Sequence, residues 1–169
     1  IVSHFSVGQF WFNNLPGDHP DFAHLLKKLS IKNVLCLGPQ ELQPHQSIQG
    51  VEVQVIHPPP DFPLEPKIQS PGELNNNSLV LRLNYKNISF LFPGDIEKET
   101  EYRLVDQHLL EPVDVLLVPH HGSRTSSSLR FLRRLKPQIA VFSVGFDNPF
   151  RLPSGQVLKR YQGLGAEIY

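Results

Sequence analysis

The sequence predicts a single α/β domain built around a mixed β-sheet. The chain has 169 residues and is 40% hydrophobic, which is enough for one core rather than two. Its second half opens with two apolar-alternating segments joined by a tight turn, and then alternates apolar strands with amphipathic helices. A hairpin followed by strand–helix repeats is typical of a sheet that is antiparallel on one side and parallel on the other.

The first half of the chain predicts fewer regular elements. They are, in order, a short apolar segment at 10–12, a turn-rich stretch at 13–20, a helix capped by Asp21, a buried strand at 31–37, a half-exposed strand at 48–56 and a proline-rich loop at 58–72. Cys36 is the only cysteine, which excludes an internal disulfide framework. We interpret it as a small buried hydrophobe of the strand at 31–37.

The second half predicts a regular succession of strands and helices. It comprises hairpin strands at 78–84 and 88–92 with a turn at 86–87, helices at 95–110, 126–135 and 154–162, apolar strands at 113–118 and 139–144, and a last strand from 166. Ligands of such sheets gather at the carboxyl ends of the strands. The segments to consider for function are therefore 93–95, 119–123 and 145–149.

Charge and hydropathy exclude several classes of protein. The 16 basic and 16 acidic residues balance, so no overall field attracts the chain to nucleic acid or to an anionic membrane. No apolar run approaches the roughly 18 residues that a membrane span requires. The chain begins at Ile1 and contains no methionine, and we expect it to be a soluble fragment of a longer protein.

Two segments at strand ends carry candidate metal ligands. Asp95 follows an apolar strand through Pro93 and Gly94, and it could cap the next helix or bind metal. His120 and His121 follow another apolar strand, where a histidine pair has little reason to serve packing. Carboxylate and imidazole together suit Zn²⁺ or Mn²⁺. We expect the side chains of Asp95 and of this histidine pair to converge at one end of the sheet.

A hydroxyl-rich segment at 123–128 precedes the predicted helix at 126–135. Ser126 or Ser127 is expected to cap that helix, and hydroxyl groups beside Arg124 at a helix N-terminus can also hold a phosphate. The helix that follows carries the densest basic patch of the chain, namely Arg130, Arg133, Arg134 and Lys136. Such a patch is either a solvated helix face or a track for a nucleic acid backbone.

Several blocks of the sequence resemble the hydrolase domain of ComEC-type competence proteins. They are Asn75-Asn76-Asn77-Ser78-Leu79-Val80-Leu81-Arg82-Leu83, Phe90-Leu91-Phe92-Pro93-Gly94-Asp95-Ile96-Glu97, Asp114-Val115-Leu116-Leu117-Val118-Pro119-His120-His121-Gly122-Ser123-Arg124-Thr125-Ser126-Ser127-Ser128, and Ser143-Val144-Gly145-Phe146-Asp147-Asn148. The resemblance extends from about residue 51 to the end. It implies a metallo-β-lactamase-like αββα sandwich, of which this chain is the C-terminal portion.

The resemblance also implies roles for individual residues. Asp95 would be the carboxylate that bridges two divalent ions, Zn²⁺ or Mn²⁺, and His121 would be a further ligand. His120 would either lie behind the metal ligands or contact the scissile phosphate, and Asp95, His120 and His121 form the expected catalytic group. His57 is a third candidate ligand, because a histidine follows the corresponding strand in the wider fold. The expected substrate-binding residues are Ser123, Arg124, Thr125 and Asn148.

The sequence departs from the family at two motifs. The family's main metal motif, His-x-His-x-Asp-His, is absent, and the resemblance places it upstream of Ile1 with the first strands of the sandwich. The metal shell of this chain is therefore expected to be incomplete and the isolated fragment inactive. The family also continues after the position of Asn148 with Phe-Gly-His-Pro-His, where this chain has Phe150-Arg151-Leu152-Pro153-Ser154.

The function that the resemblance implies is metal-dependent cleavage of the DNA strand left outside a competent bacterium. The expected partners are single-stranded DNA, the transmembrane channel of the parent protein and the missing N-terminal half of the domain. The parent would lie in the bacterial inner membrane, with this domain on its extracytoplasmic side. Two alternatives remain: a non-catalytic module that binds DNA or scaffolds the channel, and a phosphodiesterase of the same fold acting on a small substrate.

Overall fold

The computed structural model describes residues 3–15, 20–62 and 71–169, which form nine strands and five α-helices. The strands are β1 (Gln9–Trp11), β2 (Leu35–Leu37), β3 (His45–Ile48), β4 (Val51–His57), β5 (Val80–Tyr85), β6 (Ile88–Phe92), β7 (Val115–Leu117), β8 (Ile139–Val141) and β9 (Glu167–Ile168). The helices are α1 (Pro20–Ile31), α2 (Pro71–Asn75), α3 (Lys98–Asp106), α4 (Leu129–Leu135) and α5 (Gly155–Gly163), with a 3₁₀ turn at Pro119–Gly122.

Seven of the strands form one mixed sheet, as the sequence predicts. Its strand order is β3-β4-β5-β6-β7-β8-β9. Neighbouring strands from β3 to β6 are antiparallel, and those from β6 to β9 are parallel. Within the described residues the second sheet comprises only β1 and β2, which pair in parallel.

The predicted strand at 48–56 corresponds to β4, but its first residue, Ile48, ends a separate strand, β3, so the structure has a hairpin there. Strands β3 and β4 are joined by Gln49 and Gly50, whose φ angles are 51° and 83°. Two consecutive residues in the left-handed region are what a two-residue hairpin turn requires. The predicted turn at 86–87 does connect β5 and β6, and Lys86 also has a positive φ, of 52°.

Other element boundaries also differ from the prediction. Helix α1 already begins at Pro20, so Asp21 lies in its first turn rather than at its cap. The buried strand expected at 31–37 shortens to β2, where Leu35 is 54% exposed and Cys36 is half-buried. The predicted loop at 58–72 lies mostly outside the described residues, and α2 begins within its last part.

The starts of α3 and α4 correct two expected helix caps. Helix α3 begins at Lys98 and its cap residue is Glu97, so Asp95 does not cap it. Helix α4 begins at Leu129, and the Ser128 hydroxyl accepts a hydrogen bond from the backbone N–H of Phe131. Ser128 is therefore the cap, in place of Ser126 or Ser127, and Asp95 is left free of a capping role.

The core lies between one face of the large sheet and helices α3, α4 and α5. The central strands contribute Leu91, Leu116 and Ala140, all at most 1% exposed. The helices contribute fully buried side chains from each of the three crossovers: Leu104, Phe131, Leu132, Leu135, Val157 and Tyr161. Crossovers between parallel strands keep one hand, so the three helices cover the same face. This packing fixes the parallel strand ends relative to one another.

The opposite face of the large sheet is also apolar but only partly covered. Alternation places Tyr85, Ile88 and Phe92 on this face, and they are 46%, 46% and 38% exposed. Among the described residues, no helix is long and apolar enough to cross a membrane.

Candidate metal and phosphate site

Three strand ends meet at one edge of the sheet and carry the candidate site. Strands β6, β7 and β8 are parallel, so the segments that follow Phe92, Leu117 and Val141 emerge side by side. The turn after β6 is joined to the turn after β7 by a hydrogen bond from the backbone N–H of His120 to the Gly94 carbonyl oxygen, at 3.1 Å. The sheet thereby brings Asp95 next to the histidine pair.

The histidine pair occupies an unusual backbone conformation. His120 has φ 48° and ψ 42°, and His121 has φ 54° and ψ 23°. The left-handed region is uncommon for residues other than glycine, and such strain concentrates at functional sites. Gly122 continues the turn with φ 77°, and a Cβ there would lie 2.8 Å from Phe142 and Pro153 side-chain atoms. Glycine is therefore required where this turn packs on the loop that follows β8.

His121 is oriented by the backbone and faces Asp95. Its Nδ1 lies 2.7 Å from the Ser143 carbonyl oxygen, which accepts the hydrogen bond and so fixes the proton on Nδ1. The Nε2 lone pair is then free, and Nε2 lies 3.7 Å from Asp95 Oδ1, too far for a hydrogen bond. Two ligands held about 2.1 Å from one ion at a tetrahedral angle are about 3.4 Å apart. The two side chains therefore fit a shared divalent ion.

His120 has a carboxylate and a hydroxyl beside its Nδ1. Glu97 Oε1 lies 3.3 Å from Nδ1, and the Thr125 hydroxyl is within hydrogen-bond distance of it at 3.4 Å. The Asn75 side-chain amide donates to Glu97 Oε1 at 3.2 Å and holds the carboxylate in place. Sequence reasoning did not single out Glu97, although it follows Asp95 by two residues at the same strand end.

Asp95, His120 and His121 line a cleft of about 640 Å³. The lining residues are Asp95, His120, His121, Ser123, Arg124, Phe150, Arg151, Leu152, Ser154 and Gly155. Five of them are predicted site residues, and Phe150, Arg151 and Leu152 come from the segment in which the sequence departs from the ComEC-type pattern. Neither guanidinium group of the cleft, Arg124 nor Arg151, is paired with another described residue, so both can meet an anion.

His57 is not brought to the cleft. Its side chain is buried, its Nε2 donates to the Asn76 carbonyl oxygen at 3.0 Å, and the Phe62 ring lies edge-on to it. Burial, reinforced by the charge of Arg103, lowers the pKa of His57 to about 4 from 6.5. The geometry does not support His57 as a ligand of an ion held by Asp95 and His121.

Asn148 and Thr125 are placed beside the cleft rather than on its lining. The Asn148 side chain donates to the carbonyl oxygens of Gly145 and Leu152 at 3.0 and 2.7 Å, and it accepts from the Leu152 N–H at 3.0 Å. Its hydrogen-bonding capacity is used in shaping the loop. Thr125 contacts the Ser123 hydroxyl at 3.1 Å besides His120, so it orients its neighbours.

A buried carboxylate anchors the serine-rich segment. Glu101 is fully buried and accepts hydrogen bonds from the backbone N–H groups of Ser127 and Ser128, the latter at 2.7 Å. Arg160 donates to the carbonyl oxygens of Ser126 and Ser127, both at 3.0 Å. Burial raises the pKa of Glu101, and the hydrogen bonds from the serine segment oppose that rise.

Two arginines of the basic patch on α4 make contacts that stabilise the fold. Arg130 pairs with Asp106 on α3, and Arg134 donates from Nε to the Leu110 carbonyl oxygen at 2.6 Å. Lys136 ends the helix in the left-handed region, with φ 48°. None of the four lines the cleft. This favours the interpretation of the patch as a solvated helix face.

The described residues contain no group of three or more histidine, cysteine, aspartate or glutamate side chains that could hold a metal ion. Within that part of the chain, the pair of prospective ligands is Asp95 and His121. Four ligands are usual for zinc.

The sequence of this chain is similar to those of several competence proteins. The chain is 36% identical over 99 residues to ComE operon protein 3 of Bacillus subtilis, which covers 59% of this chain and 13% of that protein. It is 35% identical over 95 residues to competence protein ComA of Neisseria gonorrhoeae, covering 56% and 14%. It is 40% identical over 89 residues to the uncharacterized protein YcaI of Escherichia coli, covering 52% and 12%.

The resemblance to ComEC-type competence proteins is thus confirmed, and it involves a small part of those proteins. The chain spans 12–14% of the length of these three relatives. No protein-family profile matches the chain.

Solved structures confirm the predicted metallo-β-lactamase-like fold. One is a protein named as a metal-dependent hydrolase from Parabacteroides distasonis, with a TM-score of 0.54 and 13% identity over 100% of this chain and 78% of that one. Another is CmlA, a diiron β-hydroxylase from Streptomyces venezuelae, with a TM-score of 0.55 and 15% identity over 96% and 38%. At these identities the likeness concerns the fold alone.

Proposed function

We propose that this domain is a metal-dependent phosphodiester hydrolase attached to a bacterial DNA-uptake channel, where it degrades the strand that is not transported. The sequence likeness to competence proteins supports the DNA-uptake context. The metallo-β-lactamase-like fold supports a hydrolytic site at the carboxyl ends of the strands. The proposed substrate is single-stranded DNA, and the proposed partner is the transmembrane portion of the parent protein.

One observation carries the proposal: Asp95 Oδ1 and His121 Nε2 lie 3.7 Å apart with the His121 ring fixed by the Ser143 carbonyl oxygen. A histidine that donates from one ring nitrogen to a backbone carbonyl and presents the other to a carboxylate is oriented as metal ligands usually are. The two atoms are too far apart for a direct hydrogen bond and close to the spacing of two ligands of one ion. We assign Asp95 and His121 as ligands and expect the remaining ones from other residues of the parent protein.

Zn²⁺ or Mn²⁺ ions, two in the proposed site, would supply an activated water and charge stabilisation on the phosphate when bound. The residues of the chain would bind and orient the substrate around that centre. Arg124 and the Ser123 hydroxyl lie on the cleft wall, where they can hold the nonbridging oxygens of a phosphodiester. Glu97 and Thr125 hold the His120 ring from its Nδ1 side, which leaves Nε2 for the scissile phosphate.

The test is cleavage of labelled single-stranded DNA by the parent protein, with Mn²⁺ or Zn²⁺ added and bound metal measured for each variant. Asp95→Ala should abolish cleavage and lower metal content, because this carboxylate would hold the metal. Asp106→Ala is the matched control, since this carboxylate pairs with Arg130 outside the cleft. Removing a residue that only supports a metal ligand typically lowers metal affinity roughly 10–100-fold. His121→Ala removes a proposed ligand itself, so it should lower metal affinity by more than that.

Three other outcomes would decide against the proposal. Full activity in Asp95→Ala would refute the mechanism. Cleavage of a small phosphodiester without cleavage of DNA would assign a small-substrate enzyme instead. DNA binding without metal uptake or cleavage would assign a non-catalytic DNA-binding module.

A further inference from the structure

Phe150 is an exposed aromatic side chain on the wall of the cleft. It is 79% exposed, yet it lines the same space as Asp95 and His121. No ring or cation contact ties it to another described residue. Removing an aromatic ring from water is favourable, so a ligand that covers this ring gains binding energy from it.

The loop that carries Phe150 is ordered by hydrogen bonds on both sides of the ring. Asn148 joins Gly145 and Leu152 through its side chain, and its carbonyl oxygen accepts from the Arg151 N–H at 3.1 Å. The Ser154 N–H donates to the Gly122 carbonyl oxygen at 2.9 Å, which joins the loop to the histidine turn. Phe150 is therefore held in the cleft wall by its own backbone.

The charges around Phe150 define what could cover it. Arg124 and Arg151 line the same cleft, and neither guanidinium group is paired with a described residue. A ligand that fits this wall has anionic groups for the two arginines and a flat apolar surface for the ring. A single nucleic acid strand offers both, because its phosphates and its unstacked bases alternate along the chain. A phosphodiester without bases satisfies only the arginines.

We propose that Phe150 is a stacking platform for a nucleobase of a single strand whose backbone phosphates lie at Arg124 and Arg151. The inference rests on the proposed function and extends it. It assigns to one side chain the contact with bases, whatever the base sequence. Every base has a π-face, so such a platform accepts any sequence but requires a base that is not paired in a duplex. It would favour single-stranded over double-stranded DNA at this site.

The test measures binding of two fluorescent DNA probes in the presence of a chelator. One is oligo(dT) of 12 nucleotides, and the other is an abasic strand with the same number of phosphates. The chelator prevents cleavage and removes any role of metal. The protein should bind oligo(dT) more tightly than the abasic strand. Phe150→Ala should weaken oligo(dT) binding about tenfold, since one base–aromatic stack contributes about 1–3 kcal/mol, and should leave abasic binding unchanged.

Two further variants separate stacking from a general effect on the loop. Phe150→Trp should retain the preference for oligo(dT), because a larger aromatic face replaces the ring. Phe146→Ala is the matched control: Phe146 is fully exposed on the same loop but does not line the cleft, so binding of both probes should be unchanged.

The outcomes distinguish this inference from the proposed function. Equal binding of both probes by the protein, or an equal change of both in Phe150→Ala, would overturn stacking while leaving a DNA-binding cleft in place. Binding of neither probe would overturn this inference, because it places the strand on Phe150, Arg124 and Arg151 without metal, whereas the cleavage and metal measurements test the proposed function separately.

Discussion

The Glu97 carboxylate and the His120 imidazole form a pair at the edge of the cleft, with Oε1 3.3 Å from Nδ1. Asn75 holds the carboxylate from behind, and Thr125 contacts the same ring nitrogen. This arrangement fixes the plane of the ring through Nδ1. His120 can therefore act on substrate through Nε2 while His121 and Asp95 provide the proposed metal contacts.

The first prediction separates these two roles in the parent protein. His120→Ala should lower kcat by about 10²–10⁴-fold, the range of a positioned acid–base or phosphate-contacting side chain, with metal content unchanged. Glu97→Gln keeps a polar group near Nδ1 but removes its charge, so it should lower kcat by a smaller factor and shift the pH–rate profile. The measurement is single-stranded DNA cleavage with bound metal determined in parallel. Loss of metal from His120→Ala would make His120 a ligand instead.

The second prediction concerns Arg124, which lines the cleft without a partner among the described residues. Arg124→Ala should weaken binding of single-stranded DNA and lower the slope of log affinity against log salt by about 1, because one phosphate contact is lost. Metal content should not change. Arg133→Ala is the control, since Arg133 is exposed on α4 and does not line the cleft. An equal effect of the two variants would indicate nonspecific attraction rather than a phosphate site.

The convergence of Asp95 and His121 was accessible from the sequence because it depends on strand order. Both residues follow apolar strands within a strand–helix alternation, and the carboxyl ends of parallel strands share an edge. The groups that orient these two side chains were harder to predict from the sequence. The acceptor for His121 Nδ1 is the backbone carbonyl oxygen of Ser143, and any residue type at that position would supply it.

The loops resisted prediction for a related reason. Asp147 and Arg151 adopt positive φ angles of 48° and 53°, which residues other than glycine rarely do, and these angles shape the loop that displays Phe150. Aspartate is enriched in this region but arginine is not, so local propensity does not predict the shape of the whole loop. The hairpin turn at Gln49 and Gly50 was missed because the alternation of the flanking residues continues through it.

The third prediction is a pH dependence of stability caused by His57. Burial lowers its pKa to about 4, so the folded state binds a proton less readily than the unfolded state, where the value is 6.5. The contribution of neutral His57 to the free energy of unfolding is therefore present above about pH 6.5 and is lost as the pH falls from 6.5 toward 4. Urea unfolding should give a free energy of unfolding about 2 kcal/mol lower at pH 5 than at pH 7 from this group alone.

The control for this prediction is His57→Gln, whose amide nitrogen reaches close to the position of Nε2 and can still donate toward the Asn76 carbonyl oxygen, but does not titrate. The difference between the two pH values should shrink by about 2 kcal/mol in this variant. Carboxylates that titrate in the same range contribute equally to both proteins. An unchanged pH dependence would show that His57 is accessible to protons in the folded state.

The last prediction concerns Glu101, the buried carboxylate that accepts the backbone N–H groups of Ser127 and Ser128. Glu101→Ala leaves two buried donors without an acceptor, each at a cost of about 1–3 kcal/mol, so the free energy of unfolding should fall by about 3 kcal/mol in urea unfolding. Glu101→Gln retains one acceptor oxygen and should lose roughly half as much. Glu99→Ala, an exposed position on the same helix, should change stability by less than about 0.5 kcal/mol.

Because Ser127 and Ser128 follow directly on the cleft segment that contains Ser123 and Arg124, Glu101→Ala should also weaken binding of single-stranded DNA. A stable Glu101→Ala protein with unchanged DNA affinity would show that the anchor is not needed for the shape of the cleft.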